Sequence, residues 1–112
     1  MSKFDEKLEL YNKSNAENKL GLSEELIRKV AKGLGPSIYL PDAELVASSD
    51  KEELGRIKSN FLIKKLGLTD SPDLDKAIEE AVNALGSSNR NKYRVLFYAL
   101  LVKRFKKEGM YA

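Results

Sequence analysis

The sequence predicts an all-α protein, a compact single-domain bundle of about five helices with steep crossings and a central C-terminal helix. Three observations predict it. Apolar residues recur at three- and four-residue spacings, helix caps and terminators bracket those stretches, and no segment alternates with the period of two that a half-buried strand requires. The 112 residues, 42% apolar and 33% charged, can build one core but not two.

The first helix is expected over residues 3 to 17. Phe4, Leu8 and Tyr11 share a face, Ser2 caps, and Asp5 and Glu6 sit where the helix dipole favours negative charge. Its apolar face is thin. The second starts after Ser23, with Leu22 and Ile27 placed as a hydrophobic staple and Leu26, Ile27, Val30 and Leu34 as the buried stripe. Gly33 and Gly35 loosen it and Pro36 ends it. Residues 35 to 48 are the least periodic part, holding at most one short helical turn after Pro41.

Ser49 and Glu52 form a capping box for the third helix, and Leu54, Ile57, Phe61 and Leu62 carry its apolar stripe to Leu66. Gly67 suits a left-handed terminator, with Leu68 reaching back to Ile63 in a Schellman contact and Lys64 and Lys65 at the dipole's negative end. Ser71 and Pro72 open a fourth helix in which Leu74, Ala77, Ile78, Ala81, Val82 and Leu85 repeat as far as Gly86. The last helix is expected from about Ser88 to Lys107. Its middle, Val95 to Val102, is eight apolar residues in succession, so it should be surrounded on most sides. The short connections, such as Leu68 to Asp70, restrict how neighbouring helices cross.

Composition removes many activities. The chain has no His, Cys or Trp, which excludes disulfides, thiolate or imidazole zinc sites, cysteine nucleophiles and every relay through histidine. Asp70, Asp73 and Asp75 supply no register with both the glycine and the glutamate of a calcium loop. The Glu24–Glu25, Glu52–Glu53 and Glu79–Glu80 pairs lack the histidines of a di-iron site. Gly33 and Gly35 follow no strand and make no nucleotide loop. No cofactor, metal or catalytic residue is expected, and the protein is read as no enzyme. The N-terminal segment has no apolar signal region and no stretch is long enough to cross a membrane, so a cytoplasmic protein without membrane contact is expected.

Charge is informative only near the end. The net charge is +3, yet residues 88 to 112 carry seven basic side chains against Glu108, a local +6 that leaves −3 for the rest. On the expected long helix, Lys92, Lys103, Lys106 and Lys107 form one wet stripe, whereas Arg90 and Arg94 turn toward the apolar side. A guanidinium there needs a carboxylate, a carbonyl or a bound anion. The plainer expectation is an internal brace to acids on neighbouring helices or to the loop of residues 35 to 42. The alternative is an anion or partner contact at Ser88, Arg90, Lys92 and Arg94, using the free amides at the helix start, although the lysine and glycine cradle of a phosphate loop is missing. Nucleic acid is a weaker reading. In a helix-turn-helix with Gly86 at the turn, Ser87 and Lys92 occupy positions that need apolar packing.

The segments KGLGPSIY (32 to 39), NFLIKKLGL (60 to 68), SNRNKYR (88 to 94) and the KRFKKEGMYA ending resemble a bacterial family of small uncharacterised helical proteins, a domain of unknown function. The resemblance runs from about Ser2 to Ala112. It implies a small cytoplasmic bacterial protein with a multihelical fold and carries over no catalytic residue. The expected function is therefore a non-enzymatic interaction or structural module that meets an unidentified protein partner or itself.

Overall fold

Helix α1 spans Lys3–Glu17 and is capped as its sequence requires, with the Ser2 hydroxyl accepting from the Asp5 amide at 3.1 Å. The computed structural model describes residues 2–40, 44–47, 49–86 and 92–111. Tyr11 is the fully buried residue of this helix, and Phe4 and Leu8 pack half-buried against the core. The turn that follows is fixed by a two-point clasp. The Asn15 side-chain amide donates to the Leu22 carbonyl at 2.8 Å, and its oxygen accepts from the Leu22 amide at 3.1 Å. The chain then enters α2, Glu24–Leu34, whose Ser23 cap accepts from the Leu26 amide.

The buried stripe of α2 is Leu26, Ile27, Val30 and Ala31, whereas Leu34 is only half-buried. Gly35 stops the helix at φ 65, a left-handed backbone that glycine adopts without a Cβ penalty. The chain tightens at once into a 3-10 helix, Gly35–Tyr39, held by the Ser37 hydroxyl donating to the Leu34 carbonyl. Of the expected turn after Pro41, residues 41 to 43 lie outside those described, while Glu44 is helical and its amide donates to the Leu40 carbonyl at 2.9 Å. A further helical turn precedes Pro41, because Pro36 fits the first turn of a new helix.

Helix α3 differs from expectation in two ways. Its cap is Asp50, whose carboxylate accepts from the Glu52 amide at 2.9 Å, not Ser49. After an α-helical half, Lys51–Arg56, it continues as a π-helix over Ile57–Lys65. Bonding between residues five apart aligns Ile57 with Leu62 and Phe61 with Leu66, and all four are buried. The wider register also moves the closing bond. Gly67 takes the left-handed conformation at φ 70 as expected, but the Leu68 amide reaches the Leu62 carbonyl, not that of Ile63.

Helix α4, Pro72–Leu85, follows its sequence from the Ser71 cap to the Gly86 stop. Helix α5, Arg94–Arg104, is shorter than expected at both ends. Its predecessor Tyr93 is extended and forms an isolated antiparallel bridge with Leu45, and the Val46 amide donates to the Lys92 carbonyl at 2.8 Å. A final 3-10 turn spans Glu108–Tyr111.

The five helices form one all-α body around α5. Val95, Leu96, Phe97, Ala99, Leu101 and Val102 are buried, and the helix packs against α1, α2 and α4. The radius of gyration, 13.0 Å, is what a single folded domain of this length should have. Among the described residues, no helix is long and apolar enough to cross a membrane.

Candidate functional site around the last helix

The four residues singled out in the sequence have different fates. Ser88 and Arg90 lie outside the described residues. Lys92 and Arg94 are described, and neither stands on an open basic face.

Lys92 corrects the helical-wheel reading. Because α5 begins only at Arg94, Lys92 belongs to the extended lead-in, where the Leu45–Tyr93 bridge packs it against the body. It is 3% exposed, so it is not part of a wet stripe with Lys103 and Lys106. Nor is the residue without a partner.

Arg94 behaves as the brace. Its guanidinium donates to Glu53 on α3 and, at 3.1 Å, to the Tyr98 hydroxyl one turn along its own helix. Glu53 also accepts from Arg56 at 2.9 Å, so one carboxylate is shared by two guanidinium groups. Burial pushes the Glu53 carboxyl up, but the bonds from Arg94 and Arg56 outweigh it and hold the group below the usual carboxylate range. Burial likewise opposes the charge on Arg94, and Glu53 and Tyr98 overcome it. The Tyr98 ring stacks on Phe61 with centroids 4.0 Å apart and lies under the Arg94 guanidinium at 5.7 Å. The π-helical half of α3 thereby supplies the aromatic face that Tyr98 covers.

Much of the remaining basic segment is exposed but partnered within the chain. Lys103 donates to the Gly21 carbonyl at 3.0 Å, and Arg104 pairs with Asp73 at 3.0 Å and Glu80 at 3.2 Å on α4. Lys106 is exposed and Lys107 half-buried.

A second constellation went unnoticed in the sequence. Tyr11 and Tyr93 meet edge to face, with centroids 5.3 Å apart, beside a Lys7–Glu44 ion pair of 2.6 Å. Tyr11 is fully buried, yet its hydroxyl has no hydrogen-bond partner among the described residues, and burial followed by the nearby Glu44 charge raises its phenol far above the usual range. The one available signal was a tyrosine sharing the thin apolar face of α1 with Phe4 and Leu8.

The helical body and its residues agree with one family. Residues 9–109 match the family described as "Protein of unknown function (DUF2853)". The chain belongs to that family. The match runs from within α1 through α5 of this DUF2853 protein and assigns no residue a role. No curated protein matches the chain in sequence.

Proposed function

We propose that this protein works in the bacterial cytoplasm without catalysis, as a structural or interaction module that meets a protein partner or a second copy of itself. The observation that carries the reading is the position of Arg94. Its donors face Glu53 and Tyr98 within the same chain, which favours a brace over a receptor for a diffusible anion. Lys103 and Arg104 support the same view, because their charges also close on the chain. Among the described residues, Leu10, Tyr39, Leu40 and Met110 keep large apolar side chains open at the surface, a chemistry suited to protein contacts.

The test combines chemical cross-linking of the tagged full chain in its host cells with a salt series of binding to inorganic phosphate and to oligonucleotides. Reproducible cross-links to a defined protein, or between copies, with no salt-sensitive anion binding, are expected. A chain that cross-links to nothing above a tag-only control overturns the reading. So does anion binding that weakens with salt and vanishes in a folded Arg90→Ala, Arg94→Ala variant, which would instead establish the anion or nucleic-acid function.

A further inference from the structure

Helices α3 and α4 leave between them an open groove of about 330 Å³, floored by Leu54, Ile78 and Val82 and edged by Asp75 and Glu79. Leu54 and Val82 are only half-buried, so apolar surface remains in contact with water there. The rim is acidic. Lys58 pairs with Asp70 at 3.0 Å and Asp75 at 3.1 Å, which leaves these three residues and Glu79 with more negative than positive charge.

The end of the chain has the opposite character. Met110 is 50% exposed on the final 3-10 turn, and its amide donates to the Lys107 carbonyl at 3.0 Å, which folds the methionine back beside Lys106 and Lys107. These lysines outweigh Glu108. The turn lies against the start of α2, where Glu108 neighbours Ser23, Glu25 and Lys29, whereas the groove belongs to α3 and α4. The two features are therefore carried by different elements of one chain.

We propose that the groove between α3 and α4 receives the Met110 turn of a second copy of this chain, with Lys106 and Lys107 facing Asp75 and Glu79. A flexible thioether fills an irregular apolar groove well, and the lysines fix the direction of entry. Each copy carries one groove and one turn, so the contact is head-to-tail and builds a ring or an open row. This inference rests on the interaction-module reading and names its partner.

The experiment is sedimentation velocity of the full chain over a concentration series, with two charge-reversed variants. One carries Asp75→Lys and Glu79→Lys, the other Lys106→Glu and Lys107→Glu. The unaltered chain should assemble with rising concentration, and less so at high salt. Each variant alone should self-associate about tenfold more weakly or worse, and an equimolar mixture should recover assembly because both contacts become complementary again. Should loss of the Lys58 pair unfold the first variant, as judged by circular dichroism, Glu79→Lys alone replaces it. Met110→Glu, at an exposed site, should also weaken assembly. A monomeric unaltered chain, variants that assemble as well as it does, or a mixture that fails to recover overturns the proposal. A monomer that still cross-links to another protein in cells sinks this inference alone, whereas one that cross-links to nothing sinks the module reading with it.

Discussion

Glu53 and Arg94, 41 residues apart in the chain, meet as an ion pair that joins the first turn of α3 to the first turn of α5. Their side chains are only 13% and 16% exposed, so the pair lies between the surface case, worth little, and the fully buried case, costly to break. Removing one partner by Glu53→Ala should cost about 2 kcal/mol, because Arg94 then keeps a withdrawn charge with less compensation. The double variant Glu53→Ala, Arg94→Met should cost less than the sum of the two single changes. Urea unfolding of the four proteins checks this as a double-mutant cycle.

The same pair sets a pH dependence. Glu53 titrates below the ordinary glutamate value of 4.5 in the folded chain, so between the two values the unfolded chain binds more protons and stability rises with pH. Its contribution should be complete above the ordinary glutamate range and disappear as pH falls through the lowered folded value. Urea midpoints of the unaltered chain and Glu53→Gln, taken on both sides of that window, should converge as the solution becomes acidic. Midpoints that stay equally far apart would contradict the assignment.

Tyr11 carries a buried hydroxyl without a partner among the described residues, and its ring packs on Tyr93. Tyr11→Phe keeps the ring contact and removes the unsatisfied group, so it should stabilise the protein by about 1 kcal/mol, whereas Tyr11→Ala should cost about 4 kcal/mol by opening a cavity. Thermal melts distinguish the two. Ultraviolet titration should show one phenol that resists ionisation until the chain unfolds, and that phenol should be missing in Tyr11→Phe.

Two glycines should respond with opposite signs. A Cβ added at Gly55 or Gly67 meets nothing within 4 Å, so neither change is a matter of space. Gly55 lies inside the α-helical half of α3, and Gly55→Ala should stabilise by roughly 0.5–1 kcal/mol by reducing the freedom of the unfolded chain. Gly67 sits at φ 70, and Gly67→Ala should cost about 1 kcal/mol in backbone strain. Chemical denaturation of both variants checks the pair.

Features set by local chemistry were legible in the sequence. Ser2 and Ser23 cap with their hydroxyls as expected and Ser71 stands at the cap position without a side-chain bond, because a cap involves only the next few residues, and Gly35, Gly67 and Gly86 end helices because their backbones turn left-handed. The eight-residue apolar run marked α5 as the central helix for the same reason, since a segment with no polar side has to be surrounded. Features set at a distance were not legible. The start of α5 is decided by Leu45 meeting Tyr93 across the fold, and nothing in the local pattern of Lys92 announces its burial. The shift of the α3 cap from Ser49 to Asp50 reflects two competent caps side by side. The π-helical half reflects a five-residue spacing of buried side chains that also fits an ordinary helix over so short a stretch. As for the candidate site, the bracing role of Arg94 could be foreseen from its place on the apolar side, but the identity of Glu53 as its partner could not.

Helix α5 follows α1, α2 and α4 in the order of synthesis, and all three pack against it. While the ribosome still holds α5, the earlier helices have only one another to cover Ile27, Val30, Ala77 and Ala81. The nascent chain is therefore at its most adhesive just before α5 emerges. A product ending a few residues upstream of Val95 would lack the centre of the core and be a client for chaperones or proteases rather than a smaller version of the fold.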